Sequence, residues 1–351
     1  MRKIITLSII IIGLLSFALA EITLTGDARV RPRIDTKTYG DYGTDNVNNY
    51  YMYRARINMK ASLGDGWHFS TKLGTNDFAY WTGKFGSGDT PSSSSLSSAG
   101  RGSLSFMELY FGLKRDNFGF AMGVLPLSGF KNPGLDLHFY PSKVVDIPWL
   151  IYNNNAYHGF SAYYKVGPGK LNALLSVDNN VTQTQTIDEV EVTASDQMTL
   201  MLNYGVKFAG ISVNPWLMTT LANEGESAPM TIGANFKGPK LAGFTPAASY
   251  FMTSQEVDET STYTGNIMRF NLSGKIGPGS LYFWYDIASV EWDGGDTHDY
   301  TYLWAHYKYV VFKSDKGEFS LKPTIRIATD FVDDVKDYSR SKFELTMEMK
   351  F

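Results

Sequence analysis

Arginine recurs at every second position in two short stretches of this chain. The first reads Asp27-Ala28-Arg29-Val30-Arg31-Pro32-Arg33, and the second Arg54-Ala55-Arg56-Ile57, with Lys60 four residues beyond Arg56. Guanidinium groups keep their charge at any physiological pH, and side chains two apart on an extended chain share one face. A row of this kind attracts anions and raises their concentration nearby. That is binding chemistry rather than bond-breaking chemistry. The five histidines, His68, His138, His158, His298 and His306, stand in no zinc-ligand spacing, and the chain has no cysteine. Two acidic groups, Asp293 with Asp296 and Asp299, and Asp333 with Asp334 and Asp337, match no calcium loop and read as solvated surface. The expectation is no enzyme, no cofactor and no metal.

The element that must carry the arginines is a strand. From Tyr53 the apolar positions are Tyr53, Ala55, Ile57, Met59, Ala61 and Leu63, and the residues between them are Arg54, Arg56, Asn58, Lys60 and Ser62. Period two gives one apolar and one polar face, where a helix would scatter both sets around its circumference. The pattern recurs, with turn signals between, near 22–34, 50–63, 66–78, 103–114, 117–126, 155–166, 170–179, 198–208, 211–221, 229–237, 243–253, 264–276, 280–292, 300–313, 319–331 and 340–351. The connectors alternate as well. One set is short, such as Gly64-Asp65-Gly66, Arg115-Asp116, Gly167-Pro168-Gly169, Ala209-Gly210 and Gly277-Pro278-Gly279. The other is mostly longer and polar: 35–49, 79–102, 127–154, 180–197, 222–228, 254–263, 293–299 and 332–339. About sixteen strands, with short turns on one rim and long loops on the other, predict an all-β, transmembrane antiparallel barrel with short periplasmic turns and long extracellular loops. A soluble sandwich would need shorter strands, and a propeller would show a blade repeat.

The first twenty residues fit that prediction. Arg2 and Lys3 precede an apolar run, Ile4 to Phe17, and Ala18-Leu19-Ala20 offers a small-x-small cleavage site before Glu21. This pattern reads as a Sec-type signal peptide over 1–20, with 21–351 as a single barrel domain; the alternative is one N-terminal membrane helix. Without Arg2 and Lys3 the chain keeps 30 basic and 35 acidic residues, a net charge of −5, which gives no argument for nucleic acid.

Parity assigns the polar residues to the barrel interior. If Ile22, Leu24, Ala28 and Val30 face lipid, then Asp27, Arg29, Arg31 and Arg33 face the lumen. The second strand adds Arg54, Arg56 and Lys60; the fifteenth, Lys322, Arg326 and Asp330; the sixteenth, Lys342, Glu344, Glu348 and Lys350. Barrel closure makes these four strands one wall, with ten basic and four acidic residues. Packed like charges repel, so the wall calls for a use or for counter-charges from another element. Asp136 and Asp146 in the segment 127–154 are candidates for the latter, beside Lys131, His138 and Lys143. The aromatics Trp67, Phe69, Tyr164, Phe208, Phe236, Phe283 and Phe319 fall on the outward parity, where rings suit a membrane–water interface. Inward Tyr282, Trp284, Tyr302 and Trp304 form a candidate aromatic track for sugars.

The last residues alternate apolar side chains, Phe343, Leu345, Met347, Met349 and Phe351, with polar ones. This ending resembles the C-terminal assembly signal of Gram-negative outer-membrane proteins, with Met349 where an aromatic is usual. In architecture the whole of 21–351 resembles the general porins: sixteen strands, with a long loop after the fifth. Arg54-Ala55-Arg56-Ile57, following the first strand, is also similar to openings of alginate-export-like porins. The resemblance implies a loop, 127–154, that folds inward and narrows the pore. It further implies contact with outer-membrane lipid and lipopolysaccharide, handling by the barrel-assembly machinery, and a homotrimer as a candidate assembly. The expected function is passive diffusion of small hydrophilic solutes, with anions preferred. The alternatives are a substrate-specific channel (phosphate, sugar acid or oligosaccharide), a surface adhesin or receptor, and an outer-membrane enzyme.

Overall fold

The computed structural model describes residues 21–39, 46–75, 84–85, 104–126, 156–178, 184–187, 190–193, 197–221, 230–256, 262–292, 295, 297–333 and 335–351. The strands are β1 (Glu21–Tyr39), β2 (Asn46–Gly64), β3 (Trp67–Gly74), β4 (Lys84–Phe85), β5 (Ser105–Lys114), β6 (Phe118–Pro126), β7 (Ala156–Val166), β8 (Gly169–Asp178), β9 (Thr184–Ile187) and β10 (Val190–Thr193). They continue as β11 (Gln197–Phe208), β12 (Ile211–Leu221), β13 (Met230–Lys237), β14 (Phe244–Glu256), β15 (Thr262–Ile276), β16 (Gly279–Trp292), β17 (Thr297–Lys313), β18 (Glu318–Val332) and β19 (Val335–Lys350).

Sixteen of these described strands pair with their chain neighbours, all antiparallel, and close when β1 pairs with β19 from Asp27↔Lys350 to Tyr39↔Tyr338. The two-residue β4 pairs with β2 beyond the end of β3, and β9 with β10 makes a separate hairpin between β8 and β11. A closed sheet has no free edge, so every strand finds both its hydrogen-bonding partners within one chain.

Polarity is inverted relative to a water-soluble barrel. Exposed large side chains include Leu24, Phe106, Phe111, Phe160, Tyr164 and Phe208, all on the outward parity. Of the predicted outward aromatics, Trp67, Tyr164, Phe208 and Phe236 are exposed. Three tyrosine hydroxyls tie hairpins together at the turn rim: Tyr163 donates to the Arg115 carbonyl, Tyr204 to that of Val166 and Tyr307 to that of Ile276. Each of these rings lies over a strand glycine (Gly119, Gly169 and Gly279), where a Cβ would come within 2.4 Å of it.

The strands outrun their sequence prediction toward the loop rim. The segment 35–49, read as a loop, carries β1 to Tyr39 and begins β2 at Asn46. The segment 332–339, also read as a loop, is largely strand: β19 begins at Val335, which pairs with Val332, and Asp333 between the strands has φ +48°. Beyond the apolar zone both faces of a strand meet water, so alternation fades from the sequence while backbone pairing continues.

The last strand lays Phe343, Leu345, Met347, Met349 and Phe351 in one outward row, with Phe343, Met349 and Phe351 exposed. Phe351 reaches past the ladder to Gly26 through two backbone hydrogen bonds, Gly26 N to Phe351 O at 2.7 Å and Phe351 N to Gly26 O at 3.1 Å. A Cβ on Gly26 would stand 2.4 Å from the Phe351 ring and 2.7 Å from the Arg56 carbonyl oxygen, so the contact requires glycine.

Candidate functional site: a charged wall facing the lumen

Antiparallel register puts the inward residues of β18, β19, β1 and β2 side by side. Asp27 stands opposite Arg56, Arg29 opposite both Arg54 and Glu348, Arg33 opposite Glu344, and Asp35 opposite Lys342. The side chains gather into three knots. In the first, Asp27 binds Arg56 at 2.7 Å and Arg54 at 3.1 Å, with Arg29 at 3.5 Å. Arg29 also pairs with Glu348, which has Lys322 at 3.9 Å and Lys350 at 3.8 Å. In the second, Glu344 is shared by Arg33 at 2.6 Å, Arg31 at 3.0 Å and Arg326 at 3.0 Å, while Arg31 Nε donates to Thr346 Oγ1. In the third, Asp35 accepts from Arg340 at 2.6 Å and from the Tyr50 hydroxyl at 2.9 Å, with Lys342 at 3.6 Å. Tyr50 in turn accepts from Arg33 Nη1 at 3.0 Å.

Arg54, Glu344 and Glu348 are at most 2% exposed. Charges this dry persist only when paired and hydrogen-bonded. The count is uneven, however. Arg29, Arg31, Arg33, Arg54, Arg56, Lys322, Arg326, Arg340, Lys342 and Lys350 face Asp27, Asp35, Glu344 and Glu348, ten cations against four carboxylates within the three knots. The wall thus supplies counter-charges of its own, two of them on the last strand, and keeps an excess of positive charge. Lys60, also read as part of it, sits toward the turn rim and is exposed.

The rest of the interior differs in character. Leu125, Tyr157, Leu174, Met201, Trp216, Met218, Phe251 and Ile267 are buried on the inward parity of β6, β7, β8, β11, β12, β14 and β15. Between this apolar side and the charged wall lies an aromatic group on β16 and β17. The Trp284 and Trp304 ring centroids are 4.2 Å apart, Tyr282 stacks on His306 at 5.3 Å, and Arg326 lies 3.6 Å over Trp304. Arg269, paired with Asp286 at 2.6 Å, stands 4.8 Å over Trp284. The rings of the predicted sugar track are thus turned toward one another and toward arginines.

No family model matches the chain, and no curated relative matches it in sequence. Solved structures do match. An anion-selective porin from Comamonas acidovorans superposes with a TM-score of 0.58 at 13% identity, covering 95% of this chain and 100% of that one. Salmonella typhi OmpF, solved with daunomycin, gives 0.57 at 11% identity, covering 94% and 98%. The chain has the fold of outer-membrane porins. The trimer form of Vibrio cholerae OmpT, an outer-membrane protein, shares it with a TM-score of 0.57 at 10% identity, covering 95% and 99%.

Within that porin fold the eight basic residues read from the sequence, Arg29, Arg31, Arg33, Arg54, Arg56, Lys60, Lys322 and Arg326, lie on the inward parity of four adjacent strands. The constriction candidates Lys131, Asp136, His138, Lys143 and Asp146 lie outside the described residues, as do residues 1–20. Among the described residues no group of three His, Cys, Asp or Glu side chains could hold a metal ion. Sequence reasoning missed Asp35, placed in the 35–49 loop, and Arg340, placed at the start of the last strand but not assigned to the wall. It also missed a collar of inward lysines at the turn rim: Lys114, Lys165, Lys170, Lys207, Lys237, Lys275 and Lys308 join Lys60 and Lys350 there. Their signal was positional, a lysine of inward parity close to one short turn after another.

Proposed function

We propose that this chain is an outer-membrane channel that passively passes small hydrophilic solutes and prefers anions, and that it is no enzyme. The observation that carries the reading is the excess of ten cations over four carboxylates in the three knots of the β18–β19–β1–β2 wall. A wetted interior bounded by low-dielectric walls focuses that excess and raises the local anion concentration. The porin fold and the apolar outer face support the outer-membrane setting. Residues 1–20 serve as the export signal, lipid and lipopolysaccharide surround the barrel, and the Phe343–Phe351 row is what the assembly machinery reads. A homotrimer is consistent with the trimer form of the OmpT structure.

Reversal potentials of the refolded protein in a planar bilayer under a potassium chloride gradient test the reading. The wild type should prefer chloride, and Arg54→Glu with Arg56→Glu should lower the chloride-to-potassium permeability ratio. An unchanged ratio would remove the wall from selectivity. A second reading, a channel for a specific organic anion, draws on Arg326 and Arg269 lying over Trp304 and Trp284. It calls for saturable current block by such a solute at low concentration.

A further inference from the structure

The turn rim carries a second basic feature, separate from the arginine wall. On it an open recess of about 600 Å³ lies between the β7–β8 turn and the ends of β11 and β12. Lys165, Lys170 and Lys207 line it, with Ser212 and Asn214 and no carboxylate among the described lining residues. Its floor is Gly205, where a Cβ would meet nothing nearer than Asn214 Oδ1 at 3.9 Å.

Two of the three lysines are held together against their mutual repulsion. Lys165 and Lys170 stand directly opposite in the β7–β8 ladder, a placement that destabilises like charges. Lys170 lies with its Nζ 3.7 Å over the ring of Tyr163, which is itself fixed by the hydroxyl bond to Arg115. Lys237 flanks the recess, since Ser212 is the register partner of both Lys207 and Lys237. The neighbouring residues Tyr164 and Phe208 are exposed on the outer parity, so lipid meets those rings while the ammonium groups turn inward. The ligand that relieves such a cluster is therefore a soluble anion rather than a lipid headgroup. A volume of this order suits a small organic molecule. Several ammonium donors around one concavity favour several negative oxygens on one ligand over a single chloride.

We propose that this recess binds soluble polyvalent oxyanions, phosphate esters and condensed phosphates as a class, and that it makes the channel asymmetric by capturing them from the turn side. The binding stands apart from the arginine wall; the asymmetry of transport rests on the channel reading.

The test uses inorganic tripolyphosphate on the full, refolded barrel. Calorimetric titration in detergent should show binding to the wild type, weakened at least tenfold in Lys165→Gln with Lys170→Gln and Lys207→Gln. These side chains are exposed, and an unchanged thermal unfolding transition would certify the fold of the variant. In a planar bilayer tripolyphosphate should reduce the current from the turn side and not from the loop side. The chain lacks cysteine, so Ser314→Cys in a turn, labelled with an impermeant maleimide, reports which side that is. No binding to the wild type, or equal binding by the triple variant, overturns the proposal. Block of equal strength from both sides overturns the asymmetry. A barrel that binds tripolyphosphate but carries no current supports the site and removes the channel reading instead.

Discussion

The charged wall and the apolar side of the interior occupy the same geometric position, the inward parity of adjacent strands, and are built in opposite ways. On β18, β19, β1 and β2 the inner face is knit by ion pairs around four carboxylates. From β6 to β15 it is closed by Leu125, Leu174, Met201, Trp216 and Phe251, with exposures of 5% or less, interspersed with small neutral polar groups such as Ser176, Thr199, Thr231 and Thr253. One side is stabilised by compensated charge, which fails if a partner is removed; the other by close packing, which fails if volume is removed. The barrel thus separates a charged inner surface from a close-packed one.

Single substitutions on the two sides should break this comparison if it is wrong. The largest loss is expected for Glu344→Gln, because Arg31, Arg33 and Arg326 share that one buried carboxylate. Breaking a buried pair costs about 3–5 kcal/mol, measurable by urea unfolding in detergent. The same variant should move the reversal potential further toward chloride, since the wall loses a negative charge. Met201→Ala, at a side chain with 0% exposure, should cost about 2–5 kcal/mol in the same assay and leave the reversal potential where it was. A shift in selectivity with Met201→Ala, or stability untouched by Glu344→Gln, would dissolve the distinction. Gly26→Ala, which drives a Cβ against Phe351, should cost about 1–3 kcal/mol, read as a lowered melting temperature, without altering selectivity.

How much of this was legible in the sequence depended on whether the two faces of a strand differ. On β2 and β19 they differ strongly, and both strand position and parity followed from alternation alone. On β11 the run Met198-Thr199-Leu200-Met201-Leu202 is apolar on both faces, so period two cannot say that Met201 turns inward, and the apolar interior stayed hidden. Near the loop rim the failure is the reverse. Asp35 and Arg340 sit where both faces are polar, so the first reads as loop and the second as a strand end of unassigned parity, although together they complete a buried knot. Pairing of this kind is decided by register between residues far apart in the chain, which composition does not carry. The lysine collar was missed because each lysine is unremarkable alone and gains meaning only when short turns are brought to one rim.

Hairpins inherit their alignment from the turn that joins them, but β1 and β19 have no turn between them. Arg29 and Glu348 are 319 positions apart. A slip of one residue at this seam would swing Arg29, Arg31 and Arg33 from the interior toward lipid and separate each from its carboxylate. The wall therefore acts as a key cut into the two ends of the ribbon. It admits one alignment when the cylinder shuts, and the charges that line the interior afterwards are the teeth that index the closure.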